Sequence, residues 1–504
     1  MRDLQGGLPP LPADERQRPA QAAGRAEGGE LLISRQAEAL PGPGGKGAAA
    51  IAPAAFPTAD RALVDALDRL VATAHRRRGA IRGILLAVSG GPDSLALLLT
   101  ASAWHRSLAA AAPQLRVATV DHRLRPEAAE EAAFVAVLAA SCGLPHETLT
   151  WTPEAKPGNL SARAREGRYA LLLSHARRHG LDLVLTAHHL DDDVETHVIR
   201  RRNGGDVAAS AGMRTLRWLS PDAALGRPFL GIARERLADL VTASGIVAVD
   251  DPTNRDQHYD RVRIRLELAA DPRRKARARA NLRRCKRARD DAERAFARAL
   301  VDLEETGRLR FAEDGALLSD RAAFAELSPR CAAHLLSRAV VAAAGAPRPP
   351  SGQAVRDVST WLRQGPPRPD ARTLGGAIVR IEGGEVVVMR EFGRGAIAAL
   401  SLGAAKALGG RFAAEMDWPV VFDGRFVVDV GPWRALPGAR LVPLGLLGKG
   451  GIRLRSCPVV VDAEGRARAA LAPAARRLGP GIGDLAFEPL TPHLLRRDLD
   501  LPEA

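Results

Sequence analysis

Ile84-Leu85-Leu86-Ala87-Val88-Ser89-Gly90-Gly91-Pro92-Asp93-Ser94, continued by Leu95-Ala96-Leu97-Leu98-Leu99, is the stretch that decides the architecture of this chain. Its apolar start has no polar alternation, the pattern of a strand buried on both faces in a parallel sheet. Ser89-Gly90-Gly91-Pro92-Asp93-Ser94 cannot extend that strand. The two glycines let the backbone turn sharply and approach a ligand closely. Ser94 opens an apolar segment that reads as a helix, so free N–H groups and the positive end of its dipole face the loop. Strand, Gly-rich turn and helix N-terminus together make an anion site, usually filled by phosphate. It is not a Walker A loop, which needs G-x-x-x-x-G-K-[ST]; the spacing differs and no Lys follows.

Outward from this loop the chain alternates strands and helices. Leu63, Leu67, Leu70, Val71 and Ala74 share a helix face that Thr58 or Asp60 can cap. Leu115 to His122 reads as a second strand, Pro126 to Cys142 as a helix, and His146 to Trp151 as a third strand. Ser161 to His179 is helical and Leu183 to Ala187 a fourth strand. Asp191 to Arg202 is a helix with three carboxylates in its first turn, where the dipole favours them. This alternation predicts an α/β fold, a doubly wound parallel sheet. Ligands of such sheets sit at the carboxyl ends of the strands. That edge gathers Ser89 to Ser94, Asp121-His122 and His188 to Asp193.

A helix from Gly231 to Ser244 and the turn Asp250-Asp251-Pro252-Thr253-Asn254 follow. Asp271 to Arg289 then carries ten Lys or Arg residues. Such a segment is expected to be a solvated helix, either a phosphate-binding surface or a plain linker. Helical patterns continue to about Ala344; prolines interrupt them; Ala377 to Arg390 reads as a hairpin turning at Gly383-Gly384, and Val420 to Ala504 is β-rich.

The 504 residues allow two to four domains, and 46% hydrophobic content is ordinary for a globular chain. No run of eighteen apolar residues suggests a membrane span. The net charge of +15 suits a polyanionic partner; arginine preference in a GC-rich genome would give the same balance. Cys142, Cys285, Cys331 and Cys457 lie far apart without C-x-x-C, which disfavours a zinc site, an iron–sulfur cluster or a disulfide framework and fits a reducing cytoplasm. Residues 1–57, rich in Pro, Gly and Ala, read as a disordered extension without the features of a signal or transit peptide.

The S-G-G-x-D-S pattern resembles the PP-loop of ATP pyrophosphatases. With it stand Val120-Asp121-His122-Arg123-Leu124-Arg125, Gly158-Asn159-Leu160, Ala164-Arg165-Glu166 and Arg168-Tyr169-Ala170-Leu171-Leu172. Thr186-Ala187-His188-His189, Asp191-Asp192 with Glu195-Thr196, Arg227-Pro228-Phe229-Leu230, Asp251-Pro252-Thr253-Asn254, and Arg261, Arg263 and Arg265 complete the set. In this order, over about residues 80 to 265, they resemble bacterial tRNA(Ile)-lysidine synthases. The region past 300 resembles that family more loosely, through Arg372-Thr373-Leu374-Gly375-Gly376 and Asp423-Gly424-Arg425-Phe426. Two features depart from the family pattern: Asp193 stands where Gln is usual, and Val198-Ile199-Arg200-Arg201-Arg202-Asn203-Gly204-Gly205 stands in place of an apolar L-x-R-L-x-R-G-S-G segment.

The resemblance implies ATP, Mg²⁺, free L-lysine and a tRNA(Ile) with a CAU anticodon, in a cytoplasmic enzyme with no membrane association. It implies adenylation of C2 of the wobble cytidine and displacement of AMP by the lysine side-chain amine. Ser89, Gly90, Gly91, Pro92, Asp93, Ser94, Asp121 and His122 then become ATP-binding candidates, with Asp93 also a Mg²⁺ candidate; His122 could equally be a strand-end cap. Asp192 and Glu195, at i and i+3 on one helix face, suit a lysine amine or a metal, or simply a helix N-terminus. His188 or His189 could assist the chemistry or be structural. Arg165 and Arg168 could bind phosphate or stabilise charge as pyrophosphate leaves. Arg283, Arg284 and Arg287 are the candidates for tRNA phosphates.

The domains expected are the extension 1–57, a PP-loop catalytic domain 58–265, a basic helical linker 266–300, a helical or α+β tRNA-binding domain 301–395 and a β-rich domain 396–504. Whether the chain forms a homodimer stays open. Another PP-loop enzyme, such as a tRNA thiolase or amidating synthetase, is the alternative, although thiolation calls for paired cysteines and amidation for an N-terminal nucleophile. A catalytically decayed RNA-binding protein is the other, against which the intact phosphate loop weighs.

Overall fold

The computed structural model describes residues 60–108, 112–123, 127–152, 160–220, 222–250, 256–346, 349–365, 370–393, 397–402 and 420–499. The extension expected over 1–57 and the motif pieces Leu124-Arg125, Gly158-Asn159 and Asp251-Pro252-Thr253-Asn254 lie outside them.

The first strand, β1 (Gly83–Ala87), sits at the centre of a six-stranded sheet. Its side chains alternate between two cores, as period 2 requires. Ile84 and Leu86 enter a cluster with Leu63 and Leu67 of α1 (Arg61–Arg78) and Leu95, Leu98 and Trp104 of α2 (Pro92–Ser107). Leu85 enters a second cluster on the other face, with Leu172 and Ala176 of α4 (Leu160–Arg178). Burial on both faces is why the sequence reads as an unbroken apolar run. Asp60 caps α1 by accepting from the Ala62 N–H at 2.8 Å.

The remaining strands of this sheet are β2 (Gln114–Asp121), β3 (His146–Thr150), β4 (Leu183–Leu185), β5 (Leu216–Ser220) and β6 (Ala223–Gly226), in the order β3-β2-β1-β4-β6-β5. All neighbours pair in parallel except β5, which runs antiparallel to β6 at the edge. The chain leaves β1 toward β2 and β3, with α3 (Ala128–Ser141) between them, and then crosses back to β4. The order therefore reverses between β1 and β4, and a crevice opens outside their carboxyl ends. The doubly wound α/β fold expected from the sequence is present.

Two points differ from the sequence reading. Strands β5 and β6 carry no strong sequence signal, because β6 is four residues of Ala-Ala-Leu-Gly; burial of all four, not propensity, makes it a strand. The helix expected over Gly231 to Ser244 is a 3₁₀ turn at Pro228–Gly231 followed by α6 (Arg234–Ala243), with Ala233 extended between them.

After α5 (Leu190–Arg202) and α7 (Asp260–Ala270) comes the long α8 (Pro272–Glu305). The expectation that its basic half is a solvated helix is corrected here. Ala278, Leu282 and Cys285 form a buried stripe, and Leu282 joins a cluster with Val194 of α5 and Ile264 and Leu268 of α7. An arginine-rich helix still buries one face when every third or fourth residue is apolar.

The far end of α8 enters another core through Phe296, Leu300 and Leu303. That core also holds α9 (Pro329–Ala344), α10 (Gly352–Gln364) and a five-stranded sheet that includes the hairpin of β7 (Ala377–Glu382) and β8 (Glu385–Arg390). Gly383 and Gly384 turn the hairpin at φ +59° and +84°. A further core is built from short strands between Val420 and Pro489. The last described helix, α11 (Thr491–Arg496), returns Leu495 to the core of α9. Among the described residues no helix is long and apolar enough to cross a membrane.

Candidate active site

The phosphate-loop sequence folds as its chemistry demands. Gly90 takes φ +85°, and a Cβ there would lie 2.9 Å from Val249 Cγ2. Gly91 instead has φ −71°, with open space in front of its missing side chain. The two glycines thus divide the work: Gly90 makes the turn, and Gly91 leaves room for a ligand. The Ser94 hydroxyl donates to the Gly91 carbonyl at 2.9 Å and accepts from the Ser89 N–H at 3.1 Å, fixing the loop from within. Pro92 opens α2, where its lack of an N–H costs nothing, and the first helical bond runs from Leu95 to Gly91. The N–H groups of Asp93 and Ser94 therefore stand outside the helix ladder, at the positive end of its dipole.

The opposite wall of the crevice starts at His189, the N-cap of α5. Its Nδ1 accepts from the Asp192 N–H at 3.4 Å, and the Asp192 carboxylate accepts from the His189 N–H at 3.1 Å, closing a reciprocal cap. His189 Nε2 reaches Asp93 Oδ2 at 3.5 Å. Burial alone would lower the pKa of His189, but Asp93, Asp192 and Asp191 outweigh it and hold it above the usual imidazole value. The other Asp93 oxygen, Oδ1, is buried without a hydrogen-bond partner, with Arg234 Nε 3.9 Å away.

His188 has a different environment. Its Nδ1 lies 2.9 Å from Thr186 Oγ1. Burial first, and then the guanidiniums of Arg227, Arg168, Arg165 and Arg261, keep it well below its usual value, so it is neutral near pH 7. Arg165 and Arg168 both lie 5.3 Å from the Tyr169 ring centre. Arg227 is almost wholly buried, and its Nη1 donates to the Arg214 carbonyl at 2.8 Å. Among the described residues no ion pair to a carboxylate is recorded for Arg165, Arg168 or Arg227. Concentrated positive charge without an acid partner calls for an anionic ligand. Asp121 and His122 end β2 beside this region; Asp121 Oδ1 accepts from the Arg123 N–H at 2.7 Å, and the His122 ring stands edge-on to Trp151 at 5.6 Å. Burial and Arg168 lower the pKa of His122.

The carboxylates of α5 point in different directions. Asp191 is held by Lys275 Nζ at 2.6 Å and Arg279 at 2.9 Å, and despite its burial these cations bring it to about 2. Asp193 is fully buried; it accepts from the Met213 N–H and pairs with Lys286 Nζ. Both acids thus anchor α8. The unusual Asp193 therefore has a local compensation in Lys286. Asp192, by contrast, is turned toward His189, whose Nε2 lies 3.4 Å from its Oδ2, and its Oδ1 lies 3.8 Å from Arg265 Nη2. Glu195 is buried and its two oxygens accept from Arg265 at 2.8 and 3.3 Å, with Arg261 Nε at 3.4 Å. Burial raises its pKa even against these cations. Asp192 and Glu195 share a helix face as expected, but Glu195 is already engaged by arginines rather than open to an amine.

The α8 cations divide likewise. Lys275, Arg279 and Lys286 face α5, and Arg289 donates to the Ala211 carbonyl at 3.1 Å. Arg283, Arg284 and Arg287 are exposed, and no ion pair is recorded for them among the described residues. They lie on the same helix as the anchoring cations but not in the crevice.

Arg227, Arg234, Arg261 and Arg265 belong to the site; Arg227, Arg261 and Arg265 stand in the sequence motifs quoted above without an assigned role, and Arg234 is not among them. One signal was available for Arg227, a lone cation in the apolar run Leu225 to Leu230. For the others only the fold brings α6 and α7 to the crevice.

A family model described as PP-loop domain matches residues 64–271. The tRNA(Ile)-lysidine synthase of Methylobacterium sp. (strain 4-46) is 39% identical over 323 residues, covering 62% of this chain and 90% of that protein. The enzyme of the same name from Methylobacterium nodulans is 39% identical over 321 residues, with 62% and 91% covered. That of Ruegeria pomeroyi is 37% identical over 318 residues, with 62% and 72% covered.

Proposed function

From the premise that the chain belongs to the tRNA(Ile)-lysidine synthase family, we propose that it uses ATP to join free lysine to C2 of the wobble cytidine of a tRNA(Ile) with a CAU anticodon. The observation that carries this reading is the pairing of an anion-binding loop with an arginine cluster that has no carboxylate partner among the described residues. ATP phosphates rest on the N–H groups of Asp93 and Ser94, with Ser89 and Ser94 holding the loop's shape. The cytidine O2 attacks the α-phosphorus; the bond to the bridging oxygen breaks, and pyrophosphate leaves with the electron pair. Arg165, Arg168 and Arg227 stabilise the charge that develops. Neutral His188 beside them adds a polar ring without a charge of its own.

In the second step the deprotonated lysine amine attacks C2, and the C2–O bond breaks to release AMP. Asp192 is the carboxylate best placed to hold that amine, while Glu195 positions Arg265 and Arg261. Asp121 and His122 line the nucleotide side. Mg²⁺ fits Asp93 Oδ1, which is buried without a hydrogen bond beside the phosphate loop, since a carboxylate next to phosphates is favourable with a cation between them. When bound, the ion would neutralise phosphate charge. The exposed Arg283, Arg284 and Arg287 meet tRNA phosphates outside the crevice.

The test is pyrophosphate release with ATP, Mg²⁺, lysine and tRNA(Ile) omitted in turn, together with mass analysis of the anticodon loop after incubation with labelled lysine. Release that needs the tRNA but not lysine, and label on the wobble cytidine only when lysine is present, is expected. Label absent from the tRNA despite pyrophosphate release would overturn the reading.

A further inference from the structure

Away from the crevice, Glu147, His175 and His179 meet where α4 packs near the edge strand β3. Glu147 is the second residue of β3, so it lies toward the amino ends of the parallel strands, while the phosphate loop lies at their carboxyl ends. His175 is in the last turn of α4 and His179 one residue past its end; the His179 N–H still donates to the His175 carbonyl at 3.2 Å, so the two imidazoles share a face at i and i+4. Their ring centres are 4.5 Å apart. One ligand atom from each of the three residues falls within 4.8 Å of the other two.

We propose that Glu147, His175 and His179 form a zinc site that ties α4 to the edge strand of the sheet. Two imidazoles and one carboxylate are a donor set that zinc accepts. Zinc–ligand bonds of about 2.0–2.2 Å in tetrahedral geometry separate neighbouring ligand atoms by roughly 3.3–3.5 Å. Glu147 Oε2 lies 3.5 Å from His175 Nδ1 and 3.9 Å from His179 Nε2, so small side-chain shifts bring them to coordination distance.

The independent sign of a missing partner is His175 itself. Its residue is completely buried, yet neither ring nitrogen has a hydrogen-bond partner among the described residues, and His179 Nε2 is buried in the same state. Buried polar groups are almost always satisfied, and each exception needs an occupant or a role. Arg178 donates to Glu147 Oε1 at 3.0 Å, which orients the carboxylate and leaves Oε2 facing the histidines. Cysteine spacing has no bearing on a site of this composition.

The experiment uses the full chain, stripped with a chelator and titrated with zinc chloride alone, without nucleotide or tRNA. Calorimetry and thermal melting are read for wild type, His179→Gln and Glu147→Gln; both variants change partly exposed residues and spare the buried His175. One zinc per chain and a melting temperature raised by several degrees are expected for wild type. Each variant, folded by circular dichroism, should bind at least about 10-fold more weakly, since even an outer-shell change costs that much, and lose most of the shift. Cobalt in place of zinc should show visible bands of tetrahedral intensity in wild type only. Absence of zinc binding in wild type, or equal binding in both variants, would overturn the site.

Discussion

His189 Nε2 lies 3.5 Å from Asp93 Oδ2, so the cap of the helix after β4 is joined to the first turn of the helix after β1. The two walls of the crevice are thereby linked through one titratable contact. The carboxylates around His189 hold its pKa above the usual value against the effect of burial. A raised pKa means stabilisation that is complete below the unfolded value of about 6.5 and is lost as pH rises through the folded value. The melting temperature of wild type minus that of His189→Gln should thus be largest below about pH 6.5 and shrink as the pH rises above it. A difference that stays constant with pH would remove the ionic contact from the account.

The two loop glycines should fail in different ways. Gly90→Ala places a side chain at φ +85° against Val249, and a left-handed backbone costs about 1–2 kcal/mol for a residue with a Cβ. It should lower the melting temperature measurably. Gly91→Val fills open space, so the fold should melt as wild type does while pyrophosphate release is lost. Normal turnover by a folded Gly91→Val enzyme would mean that ATP phosphates do not approach this loop.

Asp192 and Glu195 are distinguishable kinetically. Loss of a charged hydrogen-bond partner costs about 1.5–3 kcal/mol, or roughly 10- to 100-fold. Asp192→Asn should raise the KM for lysine by that factor and leave the KM for ATP nearly unchanged. Glu195→Gln should instead lower kcat, because it loosens Arg265 and Arg261 without touching the amine. The reverse pattern would return lysine recognition to Glu195.

The phosphate loop, the strands on either side of it and the hairpin at Gly383-Gly384 were legible because each is written in contiguous residues. The site as a whole was not. Arg168, Arg227 and Arg261 converge on His188 from a helix, a strand end and a later helix, and no local pattern records that meeting. The basic half of α8 misled for a related reason. Its charge count is a local fact, but the partners of Lys275 and Lys286 are Asp191 and Asp193 on another helix. Strand β6 was hidden because its four residues, Ala-Ala-Leu-Gly, are decided by burial between β4 and β5 rather than by propensity.

Lys286 tests that anchoring. Lys286→Met leaves the fully buried Asp193 without its cation, a change that destabilises by about 3–5 kcal/mol when one partner of a buried pair is removed. Replacing both, as Asp193→Asn with Lys286→Met, should recover most of that loss in thermal or denaturant melts. Additive losses in the double variant would show that the two side chains act independently.

The exposed arginines of α8 should behave in the opposite manner. Arg283, Arg284 and Arg287 point to solvent, so changing them to Glu should leave melting and the binding of ATP and lysine nearly as they are. If they meet tRNA phosphates, affinity is driven by counterion release, and each lost contact lowers the slope of log affinity against log salt by about 0.7–0.9. The triple variant should therefore bind tRNA(Ile) several-fold or more weakly and with a slope smaller by about 2–3. Preference for tRNA(Ile) over a methionine tRNA should hold, because phosphate contacts position the nucleic acid without reading its sequence. A salt titration of binding for wild type and variant measures both quantities. Unchanged slopes and affinities would leave α8 as an anchor for Asp191 and Asp193 alone, and would move tRNA binding to the cores beyond it.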